Sequence, residues 1–379
     1  MSEPNDRQVA RRGPRSRTTT VALLVLAVVV LCVYPHFPFV DRLFEAIGHP
    51  ILLDRKLVSI FIFGILALAL NVQVGYAGLQ QLGIAAFFGI GAYTTGILTV
   101  EKYPFHAGFW GALVAAPVCA AIAGLAIGAP TLRLRGDYFA IVTLGFGEVV
   151  RTIILNLEGI TDGPRGLNPI PDPWLPPAVA ESSADPARVK YLALYYIAFV
   201  LLVGLAIVFR NLERTRLGRA LVALREDELA TACMGINPVR IKLVALAVGA
   251  GLAGLAGALY STTLTTTAEP STYDFNYSIM VLCCLIIGGV GSLRGAILGA
   301  VVLFGFDNIV SPLITELLQP FAAASSGNVF LQFNNWRWII FGLALVLMMR
   351  FRPEGLWPSS RMKAELHHED EGPLSKVGP

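Results

Sequence analysis

Apolar stretches of about 15 to 25 residues recur from Val21 to Met349, and no other feature constrains the fold as strongly. The hydrocarbon core of a bilayer takes about 20 apolar residues of helix to cross. No water pairs with backbone groups inside that core, so each stretch must satisfy its own N–H and C=O groups, and a helix does so. The alternative is a soluble protein with an unusually oily interior, which would need a large polar surface. Only 15% of the residues are charged and 55% are hydrophobic, whereas soluble domains are about 25% charged. The sequence therefore predicts an all-α, polytopic transmembrane bundle.

The first stretch, 20–34, follows Arg7, Arg11, Arg12, Arg15 and Arg17. No small-residue cleavage site comes after it, so it reads as an uncleaved signal-anchor. Further apolar segments centre on 57–74, 82–100, 107–130, 138–156, 191–209, 243–263, 278–292, 295–311 and 336–350. Together these make about ten spans. With the N-terminus inside, the inner loops carry nineteen Lys and Arg residues and the outer loops eight. That asymmetry favours ten crossings with both termini cytoplasmic. The expected organisation is a basic cytoplasmic segment over 1–19, a transmembrane domain over 20–352, and a largely disordered cytoplasmic tail over 353–379. Within the membrane domain, 157–190 is a proline-rich external loop with Trp174 as an interfacial anchor, and 210–242 is a cytoplasmic loop. Two glycine-rich stretches, 71–83 and 286–299, read equally as spanning or re-entrant.

The cytoplasmic loop raises a question of its own. "ALREDELATACMGINPVRIKL", from Ala223 to Leu243, is built of good helix formers and charges. It meets a stop at Gly235 and a restart at Asn237-Pro238. A connector needs only a few residues; this loop has 33. It reads either as a solvated linker or as a helix that docks a soluble partner. In the docking reading, Leu221, Leu224 and Leu229 are apolar anchors, Arg225, Glu226, Asp227 and Glu228 set the register, and Gly235, Asn237 and Pro238 turn the chain back to the bilayer.

Inside the membrane, small residues permit close helix packing, which accounts for most of the glycines over 75–96. Asn71, Gly75, Tyr76, Gly78, Gln80, Gln81 and Tyr93 are the polar and flexible set of that region. They fit a broken helix lining a solute path or a cytoplasmic hinge. Glu148 and Arg151 stand three apart within one span, hence on one helical face. Intramembrane charge tends to face the bundle interior. The two read as a structural ion pair or as a substrate-path pair.

No G-x-x-x-x-G-K-[ST] occurs, so the chain is not expected to hydrolyse ATP. The five cysteines have no metal-ligand spacing. No catalytic constellation, cofactor motif or nucleic-acid signature is expected.

Six motifs, in order, resemble the LivM-type permeases of branched-chain amino-acid ABC importers, a family whose relatives include urea and amide permeases. They are "NVQVGYAGLQQLGIAAFFGIGAYT" (71–94), "LRLRGDYFAIVTLGFGEVVR" (132–151), "GITDGPRGL" (159–167), "GRALVALREDELATACMGINPVRIKLVALAVGAGLAGLAGALYS" (218–261), "IIGGVGSLRGAILGA" (286–300) and "RPEGLWP" (352–358). Many relatives carry serine and histidine where Gln81 and Ile84 stand here. The resemblance implies an inner-membrane permease subunit with four kinds of partner: a second related permease, two cytoplasmic ATPases that use the ATP, an extracytoplasmic binding protein, and the lipid bilayer. It also implies that 213–238 contacts the ATPases. A stand-alone secondary carrier and a urea or amide permease are the alternatives.

Overall fold

The computed structural model describes residues 53–104, 107–131, 136–173, 186–314, 333–352 and 354–357. The expected signal-anchor, the basic 1–19 segment, Trp174 and the tail beyond residue 357 lie outside them. The residues from Arg55 onward make one compact unit. The regular secondary structure of the described residues is entirely helical, with no strand among them.

Twelve α-helices follow in order. They are α1 Leu53–Leu70, α2 Ile84–Thr99, α3 Gly108–Thr131, α4 Asp137–Asn156, α5 Glu158–Thr161, α6 Pro186–Leu212, α7 Arg216–Glu226, α8 Glu228–Cys233, α9 Pro238–Leu264, α10 Phe275–Gly288, α11 Leu293–Gly305 and α12 Phe333–Phe351. Two of them run on into wider turns, α1 through a π-helical segment Asn71–Tyr76 and α11 through Phe306–Val310. Among the described residues, six helical stretches are long and apolar enough to cross a membrane: Arg55–Tyr76, Gly108–Thr131, Asp137–Asn156, Val189–Leu212, Pro238–Leu264 and Leu293–Ile314. Three apolar helices are shorter, Ile84–Thr99, Phe275–Gly288 and Ile339–Phe351. At 1.5 Å per residue α10 is only about 21 Å long, short of the roughly 30 Å hydrocarbon core.

The core forms around α9, which packs against α3 and α2. Its small residues allow this closeness. A β-carbon on Gly257 would lie 2.0 Å from the Phe88 carbonyl oxygen, and one on Gly91 would lie 2.1 Å from that of Gly254. Close backbone approach replaces hydrophobic segregation as the packing force when lipid is as apolar as the side chains. Beside this core α1 buries Ile62, Ile65 and Leu66, and Phe63 stacks on Phe304 with ring centroids 3.7 Å apart. By contrast α3, α4 and α6 expose rows of large apolar side chains, among them Val114, Val118, Ile122, Ile141, Val149, Val200 and Ile207.

The two ends of α9, about 40 Å apart, carry different structures. At its C-terminal end, residues 166–170 lie on 265–268. Leu167 N donates to Thr267 Oγ1 (2.8 Å) and Thr267 N returns to the Leu167 carbonyl (3.2 Å). Ile170 N donates to the Thr265 carbonyl (2.9 Å). Lys102 reaches across to pair with Asp162, which holds the Lys102 amine above its ordinary pKa. The first half of the expected 157–190 loop is thus pinned by backbone hydrogen bonds. At the N-terminal end of α9 sit α7, α8 and both glycine-rich turns.

Candidate functional site

The polar stretch folds as two short helices. Thr215 caps α7 by accepting from Gly218 N, and Asp227 caps α8 by accepting from Leu229 N (2.7 Å) and Ala230 N (3.0 Å). Such caps pair N–H groups that the first turn leaves open. Gly235 ends the unit at φ +80°, and Asn237 Oδ1 caps α9 through Arg240 N with Pro238 in its first turn. A β-carbon on Gly235 would meet nothing within 4 Å. The left-handed backbone, and not obstruction of the turn, is therefore what calls for glycine there.

The expected docking residues divide into two groups. Leu221 and Leu224 are buried against the spans. Arg225 turns inward too, its Nη1 donating to the Gly75 carbonyl oxygen at 2.7 Å. Glu228 pairs with Lys242, 2.7 Å away and almost buried. Asp227 serves as the α8 cap. The outward surface is formed instead by Glu226, Leu229 and Met234, the last two exposed by 74% and 81%. Beside them runs a groove of about 770 Å³ lined by Leu217, Ala220, Ala223, Ala230, Ile236 and Ile241, with Arg216 and Arg219 also on its walls. The division follows from the amphipathic character of α7, whose apolar edge lies on the bundle. Leu221, Leu224, Arg225 and Glu228, expected to meet a partner, make contacts within the chain, because a side chain's direction depends on distant neighbours that local sequence does not show.

The hinge region meets this unit directly. Gly78 has φ +70°, and its β-carbon would lie 3.0 Å from Arg225 Cγ. Tyr76 Oη donates to Glu213 Oε1 (2.6 Å). Asn71 Oδ1 accepts from Gly291 N (2.9 Å), joining the first glycine turn to the second. Gly75 lies so close that a β-carbon would sit 2.8 Å from Gly291 N. The second turn joins α10 to α11 as a tight hairpin, and residues 354–357 close over it. Leu356 N donates to the Ile287 carbonyl (2.8 Å) and Trp357 N to that of Gly288 (2.9 Å). Arg294 stacks over the Trp357 ring at 6.0 Å. These four residues, expected in the tail, are therefore part of the packed fold.

The structure brings Asn71, Gly75, Tyr76, Gly78 and Arg225 together at one end of the bundle. Gln80 is exposed beside them, and Gln81 is buried with Oε1 unpaired. Tyr93 is not part of this group, since its hydroxyl donates to the Ala268 carbonyl (3.2 Å) at the far end of α9. The hinge reaches α4 through Leu82 N, which donates to Thr143 Oγ1 (3.2 Å), and through the close passage of Gly83 by Gly147. One residue further, Glu148 Oε2 accepts from Arg151 Nε at 2.9 Å, with 39% and 33% of the two side chains exposed. Lys242, Glu213, Gly291 and Thr143 were not singled out in the sequence. Their partners are 14 to 220 residues away, beyond the reach of any local pattern.

Residues 52–349 match the family model described as branched-chain amino acid transport system / permease component. The chain is 39% identical to the high-affinity branched-chain amino acid transport system permease protein LivM of Salmonella typhimurium over 340 residues, 85% of this chain and 74% of that one. It is 38% identical to LivM of Escherichia coli K12 over 341 residues, with the same coverage. It is also 27% identical to the ribose import permease protein RbsC of Escherichia coli K12 over 305 residues, 76% of this chain and 83% of that one. No solved structure matches it. The family model covers the whole bundle from α1 to α12, the hinge and α7–α8 included, and the chain belongs to the family of branched-chain amino acid transport system permease components.

Proposed function

We propose that the chain is the membrane permease subunit of an ATP-binding-cassette importer for leucine, isoleucine and valine. In this reading it works in the inner membrane, with about ten spans and both termini cytoplasmic. Its partners are a second, related permease, two cytoplasmic ATPases that bind and hydrolyse the ATP, and an extracytoplasmic binding protein. The chain itself carries no cofactor.

The observation that carries the reading is the α7–α8 unit. Leu229 and Met234 stand exposed on a polar segment too short and too charged to span a membrane. Exposed apolar groups with a charged rim mark a partner surface. The same unit grips both glycine turns through Arg225, so a push on α8 from an ATPase reaches α1, α10 and α11 directly. The test is uptake of labelled leucine into vesicles holding the complete importer. Uptake is expected to need ATP and both ATPases. Leu229→Asp with Met234→Asp is expected to leave the permease in the membrane but to lose ATPase co-purification. Uptake that persists without the ATPases would identify a stand-alone carrier. Normal co-purification of that variant would reduce α7–α8 to a connector.

A further inference from the structure

Charged side chains away from the ends of the described spans occur only at Glu148, Arg151 and Asp307. Of these, Glu148 lies near the middle of α4, about 17 Å from its first residue, and Arg151 lies one turn further, about 21 Å from it. They are not enclosed by the fold: more than a third of Glu148 and a third of Arg151 are open. The opposite face of α4 is packed, through Phe139, Thr143, Val150 and Ile154. The open face forms one continuous stripe at helical spacing, Tyr138, Ile141, Gly145, Glu148, Thr152 and Asn156. The open faces of α3 and α6 carry apolar side chains with no charge between the helix ends, whereas α4 carries its ion pair among the exposed Ile141, Val142 and Val149. Lipid suits those faces. It does not suit a stripe with an ion pair at mid-depth, because such groups face water or protein.

We infer that this stripe of α4 lines the solute path, and that Glu148 and Arg151 form the site through which a free amino acid passes in its zwitterionic form. The inference rests on the proposed permease function and names the groups that handle the substrate. A zwitterion carries two opposite charges and no net charge. Arg151 is complementary to its carboxylate, and Glu148 to its ammonium group. Ile141 and Val149, exposed beside the pair, are complementary to a branched aliphatic side chain. When the path is empty the two residues neutralise each other at 2.9 Å, which removes the cost of an unpaired charge. When an amino acid enters, one internal ion pair is exchanged for two pairs to the ligand, and the site stays neutral throughout. The hinge passes α4 at Gly83 and Gly147, one residue from Glu148, so movement of the α7–α8 unit has a short route to the site.

The experiment compares Glu148→Gln, Arg151→Gln and the double variant in the complete importer, reading membrane level and leucine uptake separately. A purely structural pair predicts that the double variant recovers both, since no unpaired charge remains. The zwitterion site predicts recovery of membrane level without recovery of uptake, which should stay down by roughly tenfold or more for each lost charged contact. A second measurement keeps the pair intact. Gly145→Cys, Thr152→Cys and, on α3, Ile122→Cys are made singly in a chain whose Cys32, Cys119 and Cys233 are replaced by alanine. A charged, membrane-impermeant thiol reagent is expected to modify the two α4 positions and spare Ile122→Cys, with saturating leucine and binding protein slowing the reaction. Uptake restored in the double variant, or α4 positions as unreactive as Ile122→Cys, overturns the inference. Labelling that vanishes on assembly with the second permease, whether or not leucine is present, overturns it as well, because the stripe is then a subunit contact. Absence of ATP-dependent uptake by the unmodified importer would instead refute the permease reading itself.

Discussion

The Glu228–Lys242 pair fixes α8 to the first turns of α9, and its two members are not equally replaceable. Lys242 is almost buried, whereas about a third of the Glu228 side chain meets solvent. At 2.7 Å and an effective dielectric constant of about 20, their gross attraction is about 6 kcal/mol. Desolvation offsets much of that, and solvent at Glu228 screens more. Glu228→Gln leaves an ammonium with no counter-charge in a dry site, and the expected loss is about 3 kcal/mol, the lower edge for breaking a buried pair. That corresponds to roughly a 150-fold shift in the folding equilibrium. Lys242→Met leaves only a carboxylate that turns to water, so about 1 kcal/mol is expected. Adding Lys242→Met to Glu228→Gln should therefore rescue stability. The assay is a reversible unfolding titration in mixed micelles of the purified permease, with all three variants and the unmodified chain compared. Losses that simply add in the double variant, or a Glu228→Gln permease as stable as the original, would refute the argument. Retained ATPase co-purification by the double variant is also expected, because this pair faces the bundle and not the partner.

Other perturbations have equally definite outcomes. Gly257→Leu drives a side chain into the Phe88 carbonyl, 2.0 Å from the first added carbon, so α2 and α9 must separate; membrane accumulation of the permease, read by immunoblot, should fall to background. Gly78→Leu forces a side chain into a left-handed backbone at φ +70° against Arg225, costing about 1–2 kcal/mol locally; the protein should still accumulate while vesicle uptake of leucine is lost. Asp227→Ala removes two capping hydrogen bonds at α8 and should lower stability by about 1 kcal/mol in the same micelle titration, with ATPase co-purification weakened because Leu229 is then less firmly placed.

The positions of the helices were legible in the sequence, and their faces were not. Nine of the apolar segments read from hydropathy coincide with helices, and the breaks at 71–83 and 286–299 fall at the two glycine turns. The polar loop was read as one helix stopped at Gly235; its division at Asp227, whose side chain caps α8, appears only in the structure. Which side of α7 turns inward was hidden. A span that is apolar on all sides, such as α3, carries no record of what it packs against; small residues at Gly124 and Gly128, which abut Ala250 and Leu246 of α9, were the available trace. Arg225 illustrates the remainder. Its side chain looked like part of a charged outer rim, but its hydrogen-bond partner is a backbone carbonyl 150 residues away, freed by a π-helical turn that no propensity announces. Glu148 and Arg151 were found because three-residue spacing is local. Their openness was not, because it depends on where α4 stops touching its neighbours.

Residues 354–357 give the order of synthesis a meaning. The last carbonyls of α10 are orphans of their helix, and two of them accept from Leu356 N and Trp357 N. Those residues leave the ribosome only after α12 has been made. The α10–α11 hairpin thus enters the bilayer unfinished and waits through the insertion of α12 for its closing strap. Nascent permeases halted short of Leu356 would therefore present an open hairpin to the cell's membrane proteases, whereas chains that have passed Trp357 would not. Closure of this corner of the fold thus has to wait for chain that is made after α12.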